Sequence, residues 1–137
     1  MIRVVIDTNV VISATLRSGG LPEAVFNLAV NRRVQLCVSE AILAEYEEVL
    51  RRPRLNIRLE KVAVALTRIR EAAVCVAPAA TVTACSDPDD NIFLECAEAA
   101  QADYVVTGNA ADFPAQWATT RVVTPRQFLE IIAGLEQ

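Results

Sequence analysis

Histidine is absent from this chain of 137 residues. That one absence excludes His-based catalytic triads, histidine–zinc centres and imidazole proton shuttles together. The four cysteines (Cys37, Cys75, Cys85 and Cys96) form no Cys-x-x-Cys pair. Each sits in an apolar context, so buried, reduced thiols are expected rather than a disulfide or a soft-metal site. Positive charge is also scarce: 13 Lys and Arg face 17 Asp and Glu, a net charge of −4. A protein that coats phosphates usually shows a basic domain, and this one does not. An enzyme holding metal ions in an acidic cleft remains open, because there the metal supplies the local positive charge. No apolar stretch reaches the roughly 18–20 residues that span a bilayer. The opening Met1-Ile2-Arg3-Val4-Val5-Ile6-Asp7 meets an acid before a signal-peptide core could form. A cytoplasmic protein without a membrane partner is expected. What is abundant is apolar material, 53% of the chain against 22% charged, which suits a globular fold and excludes disorder. The length predicts a single domain over residues 1–137.

Strand-like and helix-like segments alternate along the chain. Ile2–Ile6, Val34–Val38, Val74–Ala77, Tyr104–Thr107 and Arg121–Val123 are short runs of the kind found in buried strands. After the first run a loop containing Ser18-Gly19-Gly20 is expected, then a helix from Leu21, with Pro22 suited to its first turn. Ser39 can cap a helix to about Arg52, and Leu59, Val62, Leu66 and Ile69 recur at helical spacing. Asp87-Pro88 opens a helix to about Ala102, and Thr124-Pro125 opens the last. The alternation predicts an α/β fold, a parallel sheet of about five strands covered by helices on both faces. In such sheets the ligand crevice lies beyond the carboxyl ends of the strands.

Four acids fall at that end. Asp7 closes the first strand, where a buried carboxylate is costly unless it is paired or binds metal; the plain alternative is a helix cap. The helix after Ser39 carries Glu40, Glu45, Glu47 and Glu48. Glu40 suits the dipole of the first turn, while Glu47 and Glu48 stand four residues before Arg51 and Arg52 in the favourable order for ion pairs. Glu45 has no such partner and borders the apolar stripe. In Asp87-Pro88-Asp89-Asp90 the first acid reads as an N-cap, and spacing leaves Asp89 and Asp90 about equal as the residue facing the crevice. Asp112 follows the fourth strand, where a solvated loop acid is the plain alternative. Clustered carboxylates without cationic partners repel one another and take up protons unless a divalent cation binds. Oxygen-only donors favour Mg²⁺ or Mn²⁺ over zinc.

These segments resemble the PIN-domain family, metal-dependent ribonucleases that include VapC-type toxins of bacterial toxin–antitoxin pairs. Val5-Ile6-Asp7-Thr8-Asn9-Val10 is similar to the family's first motif, and Ser39 through Glu45 to its second, with Glu45 in the acidic place. Asp90 with Ala97 resembles the third, and Thr107-Gly108-Asn109-Ala110-Ala111-Asp112-Phe113 the variable fourth. The resemblance selects Asp90 over Asp89. It implies a divalent-metal-dependent endoribonuclease with Asp7, Glu45, Asp90 and Asp112 as catalytic residues. Asp7, Asp90 and Asp112 would be ligands of Mg²⁺ or Mn²⁺. It further implies a three-layer PIN-like sandwich, a single-stranded RNA substrate, a toxin role with a cognate antitoxin protein as partner, and a homodimer.

Substrate contacts are expected from Arg17, read as lying in the loop after the first strand at the crevice end, and from Asn9 and Asn109. Arg17 as a solvated loop arginine is the plain alternative. Phe113 and Trp117 suit core packing better than base stacking. The rival enzyme class is a haloacid-dehalogenase-like phosphatase with Asp7 as nucleophile. In that class the second acid donates a proton, a role that Asn9 cannot fill, and Lys61, the only lysine, lies within a helical segment. A catalytically silent interaction module, whose acids merely cap helices, is the other alternative, and Glu45 speaks against it.

Overall fold

The computed structural model describes residues 1–136. Its first strand, β1 (Arg3–Ile6), leads into α1 (Thr8–Leu16) and α2 (Leu21–Val30). Then come β2 (Gln35–Val38), α3 (Glu40–Leu50), α4 (Leu59–Ala72) and the two-residue β3 (Val74–Cys75). A long irregular segment and a 3₁₀ turn (Pro88–Asp90) precede α5 (Asn91–Ala100) and β4 (Tyr104–Val106). A hairpin of β5 (Gln116–Trp117) and β6 (Thr120–Val123) leads to α6 (Pro125–Leu135).

The strands form one sheet in the order β3-β2-β1-β4-β6-β5, parallel throughout except for the antiparallel β5–β6 pair. The expected parallel α/β sheet is therefore present, with a short antiparallel sixth strand at one edge. Val4 and Val5 are both 0% exposed. Successive strand residues point to opposite faces, so helices must cover both. On one side α5 packs against β1, β2 and β4; elsewhere α2 meets α1, α4 and α6. No helix among the described residues is long and apolar enough to cross a membrane.

Local signals set several boundaries as expected. The Ser39 hydroxyl accepts from the Ile42 amide (3.2 Å) and caps α3. Thr124 and Gln127 form a reciprocal capping box at α6. Val62, Leu66 and Ile69 turn the buried face of α4 to the core, although Leu59 of the same series is exposed. The expected helix from Asp87 begins as the 3₁₀ turn and becomes α-helical only at Asn91.

Two expectations are corrected. Residues 8–16, read as leading into a loop, continue as helix α1, so Arg17 is the residue that ends this helix rather than part of a loop directly after β1. Val10, Val11 and Ala14 are buried there, and that burial outweighs the weak helix propensity of β-branched residues. All four cysteines are unpaired, but only Cys37 and Cys96 are buried. Cys85 is half-buried and Cys75 is exposed on the sheet-edge strand β3, where no outer neighbour covers it.

Candidate active site

The parallel register of β1 and β4 pairs Val4 with Tyr104, Val5 with Val105 and Ile6 with Val106. One step further brings Asp7 beside Thr107 at the carboxyl ends of two central strands. The Thr107 hydroxyl donates to Asp7 Oδ2 (2.7 Å), and the Asp7 amide continues the ladder to the Val106 carbonyl (2.9 Å). Asp7 is 4% exposed. It occupies the N-cap position of α1 without making a side-chain capping bond. Burial raises its pKa, against the lowering effects of the Thr107 hydroxyl and the Thr8 and Asn9 amides; Asp112 adds to the rise.

Glu45 arrives from α3. Its neighbour Tyr46 is fully buried and donates its hydroxyl proton to the Ile6 carbonyl, which ties α3 to the end of β1. Glu45 is half-buried and accepts a hydrogen bond from the Thr8 hydroxyl on Oε2. Its pKa is raised by burial first and then by Asp7, Asp89 and Glu48, with Thr8 opposing.

Asp90 and Asp112 lie on two segments that are bound to each other. The side chain of Asn91, 8% exposed, accepts from the amides of Ala84 (3.0 Å) and Cys85 (2.9 Å). Beside it, Glu95 Oε2 accepts from the Val82 amide (3.0 Å), and the Ser86 amide donates to the Asp112 carbonyl (3.0 Å). Side chains of α5 thus hold an otherwise irregular stretch, and its far end reaches the Asp112 loop. Asp87 caps the 3₁₀ turn through the Asp89 amide (3.0 Å), as its sequence position suggested. Asp90 is half-buried with its pKa pushed up to about 7, by burial first and then by Asp7, Asp87, Asp112 and Glu45. Asp89 is exposed. Cys85 stands against the same acids, with its thiol pushed up to about 11 by burial and by Asp90, Asp7, Asp87 and Asp112. A thiol held protonated in that way is no nucleophile at neutral pH.

The fold therefore brings Asp7, Glu45, Asp90 and Asp112 into one electrostatically linked cluster, in which Asp112 acts on Asp7 and Asp90 while Asp7 acts on Glu45 and Asp90, and no ion pair of the described residues reaches any of them. As the side chains stand, no group of three His, Cys, Asp or Glu among the described residues is close enough to hold a metal ion. Asn9 Oδ1 accepts from the Gly108 amide (3.2 Å), and the Asn109 amide donates to the Thr107 hydroxyl (3.0 Å). Asn9 and Asn109 thus flank Asp7, while the exposed Arg17 lies at the far end of α1. Phe113 belongs to the buried core, and Trp117 packs half-buried against it with its indole Nε1 unpartnered. Lys61 lies on α4, in a hollow shared with Glu23 and Arg68 rather than in the acidic crevice.

Thr8, Thr107, Asn91 and Cys85 are site residues that sequence reasoning missed as such. Thr8 and Thr107 stood inside the quoted motifs, but their hydroxyl partners depend on strand register and helix placement. Nothing in the sequence near Asn91 or Cys85 pointed to their contacts.

An uncharacterised protein of Methanocaldococcus jannaschii, MJ1680, is 32% identical over 111 residues, covering 79% of this chain and 71% of the relative. The profile of the PIN domain matches residues 3–111, a span that contains Asp7, Glu45 and Asp90 and stops one residue short of Asp112. With the sheet, the crevice and this match in hand, the chain belongs to the PIN-domain family, whose members are in general nucleases that typically work with divalent metal ions.

Proposed function

We propose that this protein is a divalent-metal-dependent endoribonuclease that cuts single-stranded RNA through Asp7, Glu45, Asp90 and Asp112. The observation that carries this reading is the acid cluster itself: burial and neighbouring carboxylates raise the proton affinity of Asp7, Glu45 and Asp90, Asp112 adds its charge beside Asp7 and Asp90, and no ion pair among the described residues reaches them. The donor set is carboxylate and hydroxyl oxygen, which fits a hard divalent cation such as Mg²⁺ or Mn²⁺. Asp7, Asp90 and Asp112 are assigned as the residues that would hold it. When bound, the ion supplies Lewis acidity and a water of lowered pKa.

The protein's own groups do the rest. Thr107 fixes Asp7 in one orientation, so the buried carboxylate needs no reorganisation when a ligand arrives. Thr8 occupies Glu45 Oε2, which leaves Oε1 to accept a proton from an attacking water and to orient it. The toxin role, an antitoxin partner and a homodimer are carried by the motif resemblance alone. Their test is growth arrest on expression of the wild type but not of Asp7→Asn, together with size-exclusion chromatography for the dimer.

The central test is incubation with labelled single-stranded RNA and either ion. Internal cleavage that EDTA abolishes, with little phosphate released from small phosphomonoesters, is the expected result. Phosphate release through an aspartyl-phosphate at Asp7, without RNA cleavage, would overturn it in favour of the phosphatase alternative.

A further inference from the structure

Asn9, Ser13 and Arg17 recur every four residues and so share one face of α1. Two surface hollows run along that face. The smaller, about 210 Å³, lies between Asn9 and Asn109; the larger, about 590 Å³, is lined by Arg17 and Leu21. Both hollows include Ser13 and Pro22 in their walls, so they form one furrow. It runs from Asn9 to Arg17, about 12 Å apart at 1.5 Å per helical residue. Gly19, with φ of 84°, lets the chain reverse from α1 into α2 just beyond Arg17.

The chemistry along the furrow is graded. Next to the acids, Asn9 has its Oδ1 engaged by the Gly108 amide, so the group it offers a ligand is the Nδ2 donor. Ser13 follows with a hydroxyl. Arg17 is exposed and makes no ion pair among the described residues, unlike Arg51 and Arg52, which are held by Glu47 and Glu48. Leu16 and Leu21 are exposed apolar surface in the walls beside Arg17. Donors along the furrow, with exposed apolar surface beside Arg17, suit a polyanionic strand whose phosphates take hydrogen bonds and whose bases find apolar cover.

We propose that this furrow carries the single-stranded RNA away from the cleavage crevice, with Arg17 gripping a phosphate distal to the scissile bond. The proposal rests on the nuclease reading and adds the path of the substrate to it. It also explains how an acidic chain holds an anion: Arg17 stands about three helical turns along α1 from Asp7, beyond a Debye length of roughly 8 Å at physiological salt.

The test measures binding of a labelled single-stranded oligoribonucleotide in EDTA by fluorescence anisotropy across a salt series, and steady-state cleavage with Mn²⁺. Arg17→Ala should weaken binding about five- to tenfold and flatten the log Kd–log salt slope by about 0.7, the change for one lost single-strand phosphate contact. KM should rise in parallel while kcat stays within about twofold, and Mn²⁺ affinity by calorimetry should not move. Arg17→Lys should recover most of the binding. Ser13→Phe fills the furrow and keeps the guanidinium; once shown folded by circular dichroism, it should weaken binding comparably. If the wild type binds and cuts RNA and both Arg17→Ala and Ser13→Phe match it, the strand does not follow the furrow and the proposal is wrong, with the nuclease reading intact; a furrow that receives an acidic peptide instead gives this same result. A wild type that neither binds nor cuts RNA overturns the nuclease reading and this proposal with it.

Discussion

On the outer side of α3, Glu47 lies against Arg51 (3.5 Å) and Arg70 (3.2 Å), and Glu48 against Arg52 (3.0 Å). On the inner side of the same helix Glu45 is half-buried, and burial first and then the charges of Asp7 and Asp89 raise its pKa against the lowering effect of the Thr8 hydroxyl. The residue type is the same and the helix is the same. The surroundings differ, and they decide what each carboxylate can do. An exposed ion pair contributes a few tenths of a kcal/mol and leaves the acid chemically idle. A carboxylate gathered with others away from any cation holds its charge at a cost, and cation binding relieves that cost.

The sharpest break in this comparison comes from the deepest acid. Asp7→Asn should reduce RNA cleavage by at least about a thousandfold, within the range for groups that act directly at a reacting centre. Mn²⁺ calorimetry should show a large loss of affinity. Without metal the variant should melt higher than the wild type, because a buried charge has been removed; a lower melting temperature would show that the Thr107 bond outweighs repulsion.

Next in size is Glu45→Gln, with a loss of about a hundredfold in cleavage rate. Glu47→Gln and Glu48→Gln test the contrast across the helix directly. Each should cost only a few tenths of a kcal/mol in chemical denaturation and leave cleavage unchanged. Three folded variants that cleave alike would remove Glu45 from the site.

Asn91 separates assembly of the crevice from its charge. Asn91→Ala leaves the Ala84 and Cys85 amides without their acceptor, at a cost of about 1–3 kcal/mol. It should lower cleavage about tenfold through the displaced Asp90 and Asp112 segments. In a Cys75→Ser background, alkylation of Cys85 should speed up. Asn91→Asp keeps an acceptor at that position and should hold the segment, with slow alkylation.

The smallest effect is on pH dependence. Folded Asp90 titrates near 7 against an ordinary value of 3.8, so between those limits the folded chain keeps a proton that the unfolded chain has released. Stability of the metal-free protein therefore falls as pH rises from about 4 to 7, with a shallow slope because Asp90 is half-exposed. Thermal melts should show the decline, Asp90→Asn should flatten it, and saturating Mn²⁺ should oppose it.

Much of the architecture could be read locally. Runs such as Val4-Val5-Ile6 and Tyr104-Val105-Val106 bear enough β-branched and aromatic bulk to mark buried strands, and Ser39, Asp87 and Thr124 marked helix starts through their own side chains. The pairing of Glu47 and Glu48 with arginines followed from four-residue spacing, and Glu45 stood out because it had no such partner. Helix α1 was not read from the sequence: Thr8-Asn9-Val10-Val11-Ile12 is rich in β-branched residues, which have weak helix propensity, and the four-residue recurrence of Asn9, Ser13 and Arg17 was the signal available there. Arg17 was placed too near the strand for that reason.

By itself the sequence determined the inventory and the short-range order: a histidine-free set of oxygen donors, acids at the ends of apolar runs, caps at helix starts. Those depend on residues within a turn or two of one another. Tertiary structure alone decided that Thr107 stands beside Asp7 across β1 and β4, that Tyr46 ties α3 to the end of β1, and that Asn91 gathers the segment reaching Asp112. It also decided that Asn9, Ser13 and Arg17 look onto one furrow. Such contacts join residues far apart in the chain, through strand register and the burial of shared apolar surface. Those are properties of the packed whole, and no local window of sequence contains them.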